Sequence, residues 1–258
     1  MNESSVAVIA RALSSASVEE LPRAIRRHAR DKRAGVQQAV AGARARLARY
    51  AAEEERVRSL SAFQRDLHDA GVMIVAGVDE VGRGALAGPV TAAAVVLPVD
   101  AIIHGLDDSK RVPRAKRPAL AFEIRAACSA FAISHIPPHT IDAIGIAGAT
   151  RQAMLGALRG LSLVPDHVLV DGLPLDLGLP STAIVGGDGL VAAIAAASIL
   201  AKVDRDELMV GLDGEYPGYD FGRHKGYGCA EHLAAIRRLG PSPIHRMSFA
   251  PCAQDSLF

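Results

Sequence analysis

The stretch from Met73 to Leu97 constrains the chain most. Two apolar, β-branched runs, Met73 to Val78 and Val90 to Leu97, flank Asp79-Glu80-Val81-Gly82-Arg83-Gly84-Ala85-Leu86-Ala87-Gly88-Pro89. Short runs of this kind bounded by glycine and proline are strands, and two in succession form a hairpin. Gly82, Gly84 and Ala87 also satisfy the G-x-G-x-x-A pattern of a dinucleotide-binding turn, with Asp107 about 20 residues further on. That turn has to open a helix, whereas Pro89 and the run after it continue as a strand, and Asp79 and Glu80 would repel a pyrophosphate. The segment offers instead two adjacent hard-oxygen acids beside a turn whose N–H groups and guanidinium can approach a phosphate. That combination suits phosphodiester chemistry dependent on Mg²⁺ or Mn²⁺.

Downstream, short apolar runs alternate with helical patterns. Strands are expected near Phe131 to Ile136, His167 to Val170 and Thr182 to Val185, and helices near Arg114 to Cys128, Ile141 to Leu161, Leu190 to Leu212 and Ala230 to Leu239. This order predicts an α/β domain over residues 71–253, a hairpin followed by strands separated by helices. Residues 1–70 hold almost no proline or glycine and read as a helical N-terminal extension. Arg23, Arg26, Arg27, Arg30, Lys32 and Arg33 cluster there, and Arg44, Arg46 and Arg49 recur at helical spacing ahead of Glu53-Glu54-Glu55. A basic face of this kind either tracks phosphates or is a solvated surface laced with ion pairs, and both readings stand.

Two further acids close apolar runs as Asp79 does. Asp171 ends His167-Val168-Leu169-Val170-Asp171 before Gly172, and Asp188 follows Ala183-Ile184-Val185-Gly186-Gly187. One acid before a glycine is ordinarily a turn former or a helix cap. Three at separate strand ends are different, because strand ends in an α/β sheet meet at one rim, where carboxylates repel unless cations lie among them. Glu80, next to Asp79, would point to the opposite face of a regular strand. The glycine-rich turn is therefore expected to begin at Glu80 and to swing it back toward the metal.

The chain has 258 residues, half of them hydrophobic, enough for a packed core in one large domain or a domain with an appendage. Cys128, Cys229 and Cys252 are odd in number and widely spaced, which argues against a disulfide framework or a zinc cluster and for a reducing cytoplasm. Glu3 with no early basic residue argues against secretion, and Gly189 to Ala201, the longest apolar stretch, is too short for a bilayer. No Ser-His-Asp or Cys-His arrangement is evident.

Taken together, these motifs resemble those of the type 2 ribonucleases H, bacterial ribonuclease HII in particular. The resemblance covers about residues 72 to 252 and rests on Gly77 to Gly88, Gly105-Leu106-Asp107-Asp108-Ser109-Lys110, Val170-Asp171-Gly172, Gly187-Asp188, Ala196 through Asp206, His224-Lys225-Gly226-Tyr227-Gly228 and Ile244-His245-Arg246. It implies a ribonuclease H-like mixed sheet flanked by helices. It also implies that Asp79, Glu80, Asp171 and Asp188 are the catalytic, metal-binding carboxylates. Gly82, Arg83 and Gly84 would form the turn whose backbone senses the ribose 2′-hydroxyl, and Tyr227 would pack on the sugar at the junction. Side-chain-free glycines allow the close backbone approach that reading a 2′-hydroxyl needs. Lys110 and Arg83 are candidates for phosphate contacts.

The implied reaction uses two Mg²⁺ or Mn²⁺ ions about 4 Å apart and hydrolyses the RNA strand of RNA/DNA hybrids. In duplex DNA it cuts 5′ to an embedded ribonucleotide, leaving a 5′-phosphate and a 3′-hydroxyl. Two positions depart from the family pattern: Gly186 stands where lysine is usual, and Met247 where a second arginine is common. Neither removes a ligand. His224 and His245 are read as hydrogen-bonding structural residues. Competing functions are a catalytically silent nucleic-acid or clamp-associated scaffold, and a DNA-acting nuclease of the same fold.

The last five residues, Gln254-Asp255-Ser256-Leu257-Phe258, resemble the short peptide with which bacterial replication and repair proteins bind the sliding clamp. Gln254, Leu257 and Phe258 would enter the clamp's groove.

Overall fold

The computed structural model describes residues 5–253. Two compact units divide between Ser59 and Leu60. In the first, helices α1 (Val6–Ser15), α2 (Leu21–His28) and α3 (Ala34–Leu60) enclose Ile9, Leu13, Leu21, Ile25, Val36 and Val40. The Arg46 guanidinium donates to the carbonyls of Leu13, Ser14 and Ala16, satisfying acceptors that the end of α1 leaves open. Arg23, Arg26, Arg27, Arg30 and Lys32 are exposed.

The second unit starts with α4 (Ala62–Asp69) and contains one five-stranded sheet of order β3-β2-β1-β4-β5. β1 (Val75–Val81) and β2 (Val90–Val96) form the expected hairpin, β2 pairs antiparallel with β3 (Ala130–Ile136), and β1 pairs parallel with β4 (His167–Asp171). β5 (Ser181–Ile184) continues the sheet parallel to β4. One expectation fails: β1 does not fray at Glu80. Glu80 pairs with Ala92 and Val81 with Thr91, and the turn starts only at Gly82, with φ 88°. β-Branched Val81 sits well in a pleated strand, and β2 is long enough to pair with it, so the ladder continues past the acids.

Strand alternation sorts the side chains between two layers. Ala76, Val78, Ala92, Ala94, Val168 and Val170 pack under α6 (Pro138–Gly160), a helix broken at Gly145 (φ 73°, ψ 161°). The other face meets α5 (Arg117–Ala127) and α7 (Ala192–Glu215), whose Ala192, Ala193, Ala195, Ala196, Ala197 and Ala201 are buried. α7 lies directly on β1: a Cβ on Gly77 would stand 2.2 Å from the carbonyl carbon of Ala193 and 2.4 Å from the nitrogen of Ile194. Alanines on the helix and a glycine on the strand permit backbone contact that larger residues would prevent. Of the apolar stretch from Gly189 to Ala201, residues Val191 to Ala201 are thus core while Leu190 is exposed, and among the described residues no helix is long and apolar enough to cross a membrane.

Beyond α7 come α8 (Phe221–His224), α9 (Ala230–Leu239) and α10 (Ala250–Ala253). A chain of histidines joins α8 and α9 to the segment before α10. The main-chain N–H of Ser242 donates to His245 Nδ1 at 2.8 Å, so neutral His245 carries its proton on Nε2. That proton faces His232 Nε2 at 3.0 Å, which must accept, leaving His232 Nδ1 to donate to the Tyr227 carbonyl at 2.9 Å. His224 stacks on His232 with ring centroids 4.3 Å apart. A second proton would oppose two N–H donors on either ring: on His232 Nε2 it would face the His245 N–H across 3.0 Å, and on His245 Nδ1 the Ser242 N–H across 2.8 Å. Burial, with the neighbouring His232, holds His245 down at about 4, and burial lowers His232.

Two outcomes are expected. Gly77→Ala forces helix and strand apart and costs about 3 kcal/mol, the upper end for overpacking, because the obstacle is backbone; urea denaturation measures it. For His245 the folded value lies below the unfolded value of about 6.5, so its contribution is full above about pH 6.5 and is lost as pH falls toward about 4. The stability difference between wild type and His245→Phe is therefore constant above about pH 6.5 and shrinks steadily below it.

Candidate active site

Three strand ends deliver the acids. Asp79 lies one step beyond the Val78–Val170 pair of the parallel β1–β4 ladder, and Asp171 is the last residue of β4, so the two are neighbours on the α7 face. Asp188 sits in a single 3₁₀ turn, Gly187–Gly189, after β5. Gly186 enters that turn at φ 70°, a conformation glycine adopts without strain. Carboxylate oxygens of Asp79, Asp171 and Asp188 lie within 4.8 Å of one another. Glu80 is not part of that trio: alternation turns it from Asp79, and its Oε1 lies 3.2 Å from Arg83 Nη1. It still lines the same cleft of about 430 Å³, together with Asp79, Gly82, Arg83, Lys110, Asp171 and Tyr227.

The electrostatics of this cleft are those of anions held too close. Burial pushes the Asp79 carboxyl well above its usual range, and the charges of Glu80 and Asp171 push it further against the pull of Ser198. Burial also raises Glu80, with Arg83 opposing. Asp188 is raised by burial and by Asp108 and Asp171, while Lys110 opposes. Asp171 accepts the Gly187 N–H at 2.7 Å, which ties β4 to the Asp188 turn. Clustered hard-oxygen donors that destabilise one another's charge fit a divalent cation, which would relieve the repulsion.

Around the acids stand the remaining residues singled out from the sequence. Lys110 Nζ lies 3.3 Å from Asp188 Oδ2 and 3.8 Å from Asp108 Oδ1 on an otherwise exposed side chain. The Gly82-Arg83-Gly84 turn closes with Ala85 N–H on the Gly82 carbonyl at 3.3 Å, and the N–H groups of Arg83 and Gly84 have no partner among the described residues. Half-buried Tyr227 closes the far side, its ring centre 5.7 Å from Lys202 Nζ and 5.5 Å from the guanidinium carbon of Arg205. Ala85 and Tyr227 bridge in antiparallel fashion, so turn and tyrosine are held by one backbone contact. His245 stands in the hydrogen-bonded chain behind Tyr227, and His224, bonded to the Tyr219 carbonyl, stacks on that chain at His232. Gln254, Leu257 and Phe258 lie outside the described residues.

Several residues of the cleft were not picked out for it. Ser109 and Ser198 line it and hydrogen-bond each other at 2.9 Å, and Lys202 joins them, paired with Asp206 at 2.7 Å. The signal was present: Ser198, Lys202 and Arg205 recur at i, i+4 and i+7, the only strongly polar stripe on an alanine-rich segment.

Comparison with known proteins adds to this geometry. The ribonuclease HII family model matches residues 76–252, and a ribonuclease HII N-terminal domain model matches residues 5–68. Ribonuclease HII of Moorella thermoacetica is 54% identical over 200 residues, covering 77% of this chain and 97% of its own. The crystal structure of ribonuclease H2 from Pyrococcus horikoshii superposes with a TM-score of 0.61 at 26% identity, covering 70% of this chain and 96% of that one. The ribonuclease HII in a PCNA complex from Archaeoglobus fulgidus gives 0.60 at 27% identity, covering 68% and 95%. A family match over most of the length, a bacterial relative more than half identical and the mixed sheet with its rim of acids lead to one conclusion: the chain belongs to the ribonuclease HII family and is a ribonuclease H.

Proposed function

We propose that this enzyme cleaves the RNA strand of RNA/DNA hybrids and cuts 5′ to single ribonucleotides in duplex DNA, with Asp79, Glu80, Asp171 and Asp188 as its catalytic, metal-binding carboxylates. The observation that carries the proposal is the meeting of three carboxylate oxygens within 4.8 Å beside a turn whose Arg83 and Gly84 N–H groups have no partner among the described residues. Mg²⁺ or Mn²⁺ bound there would supply an activated water and neutralise charge on the phosphorus and the leaving oxygen. The protein's own groups do the rest. Gly82, Arg83 and Gly84 present main-chain donors to the ribose 2′-hydroxyl, which DNA lacks. Tyr227 packs on the sugar at the junction, its ring steadied by Lys202 and Arg205. Arg83 and Lys110, paired with Glu80 and Asp188 in the free protein, contact phosphates once those acids are otherwise engaged.

On this reading the enzyme serves ribonucleotide removal during replication and repair and works in the cytoplasm. The helical extension, described over residues 5–59, carries exposed arginines that add duplex affinity without sequence preference. The tail with Gln254, Leu257 and Phe258 binds the bacterial sliding clamp, a reading favoured by the complex of PCNA with the Archaeoglobus ribonuclease HII. Residues 71–253 carry the catalysis.

The test is cleavage of a labelled DNA duplex with one ribonucleotide, beside an all-DNA duplex and an RNA/DNA hybrid, in Mg²⁺ and in Mn²⁺. Cuts 5′ to the ribonucleotide and within the hybrid are expected, with the all-DNA duplex intact; cutting of the all-DNA duplex would favour the DNA-acting nuclease. Asp79→Asn and Asp171→Asn each lower kcat by about a thousandfold or more, since each removes charge that the transition state needs. Deleting residues 254–258 should abolish clamp association and spare cleavage of short duplexes. Deleting residues 1–59 should weaken duplex binding and flatten its dependence on salt.

A further inference from the structure

Two buried arginines lie beneath the glycine turn. Arg205 and Arg246 are fully buried, and every hydrogen bond their guanidinium groups make among the described residues ends on a main-chain carbonyl. Arg246 donates through Nε and Nη2 to the Gly88 carbonyl at 3.0 and 2.9 Å, and through Nη1 to the Arg83 carbonyl at 2.9 Å. Arg205 donates to the carbonyls of Pro89 at 2.8 Å, Lys225 at 3.0 Å and Ala87 at 3.1 Å. The turn rests on this support so closely that a Cβ on Gly82 would stand 2.2 Å from Arg205 Nε. Arg246 is itself fixed, because Asp142 accepts the main-chain N–H groups of the next two residues, Met247 and Ser248.

Filling volume does not explain this. A buried guanidinium is costly compared with leucine or methionine of similar reach, and it is kept charged here: burial and the neighbouring Arg205 lower Arg246 only to about 10. What two such groups supply, and an apolar side chain does not, is an array of donors that fixes the direction of several carbonyls at once.

Direction matters because a trans peptide is planar, with its carbonyl and the following N–H pointing opposite ways. Holding the Arg83 carbonyl inward on Arg246 turns the Gly84 N–H outward. Gly84 is exposed, and its N–H has no partner among the described residues. Arg205 extends the same control to the other wall, since it holds the Lys225 carbonyl and lies 5.5 Å from the centre of the Tyr227 ring.

We infer that Arg246, seconded by Arg205, is a positioning and specificity-determining residue that sets the plane of the Arg83–Gly84 peptide so that the Gly84 N–H meets the ribose 2′-hydroxyl. The inference rests on the reading of Gly82-Arg83-Gly84 as the ribose-sensing turn. Lysine keeps the charge but, with a single nitrogen, cannot bridge the Arg83 and Gly88 carbonyls in the same fork.

The test uses the full chain with Asp79→Asn to block cleavage, and compares its affinity for a duplex with one ribonucleotide and for the same duplex in all-DNA form. Adding Arg246→Lys should narrow the ribonucleotide preference about tenfold, the equivalent of one hydrogen bond, and leave all-DNA affinity unchanged. A preference that survives overturns the inference. So does an equal loss on both duplexes, which is what a purely structural arginine would give. If the parent protein shows no preference, the ribose-sensing reading itself fails, a result separable from either. Should circular dichroism show Arg246→Lys unfolded, hydrogen exchange on the parent decides. Protection of the Gly84 amide by the ribonucleotide duplex alone supports the inference, and equal exchange with both duplexes overturns it.

Discussion

The rest of the structure depends on the contact of α7 with β1 through Gly77. Because the strand has no side chain there and the helix offers alanines, the two backbones touch, and everything further along each element is set by that contact. Two residues along β1 comes Asp79. Along α7, Ser198 lies beside Asp79, Lys202 beside Tyr227 and Arg205 beneath Gly82, each a helical turn apart. The dry core and the polar cleft are therefore one packing decision, and a shift that eased the crowding at Gly77 would move half of the cleft relative to the other half.

Within that frame two kinds of electrostatic tension coexist. On the cleft side, carboxylates are gathered closer than their charges favour, and burial adds to the cost. Behind the turn, two buried cations face carbonyl dipoles. The fold keeps these populations apart by letting the Gly82–Pro89 loop run between them, with the carbonyls of Arg83, Ala87, Gly88 and Pro89 on the arginines and the N–H groups of Arg83 and Gly84 without partners among the described residues. A peptide segment serves as an oriented dipole layer, an arrangement that side-chain ion pairs would have short-circuited.

Much of this was legible in the residues themselves. The hairpin, the parallel strands and the long helices follow from β-branched runs, glycine and proline punctuation and helical periodicity, and Asp79, Asp171 and Asp188 meet where strand-end reasoning placed them. Glu80 was misjudged because local alternation argued for a frayed strand, while the pairing of Glu80 with Ala92 and of Val81 with Thr91 on β2, a longer-range term, kept the ladder intact. Lys110 reads as a solvated loop cation until the structure brings it to Asp188, 78 positions away in sequence. Arg246 was hardest to see, because nothing local distinguishes a solvated arginine from a buried one bonded to distant carbonyls.

That distance has a consequence for how the enzyme is made. The bond from Arg246 to the Arg83 carbonyl spans 163 positions, and the bonds to Gly88 span 158. A chain emerging from the ribosome can close its hairpin early, since those strands are neighbours, but the turn between them has no fixed peptide planes until the segment around Arg246 is released. Asp79, Asp171 and Asp188 all precede Arg246 in order of synthesis, so on the proposed reading the carboxylates are made before the residue that fixes the turn meant to read the sugar.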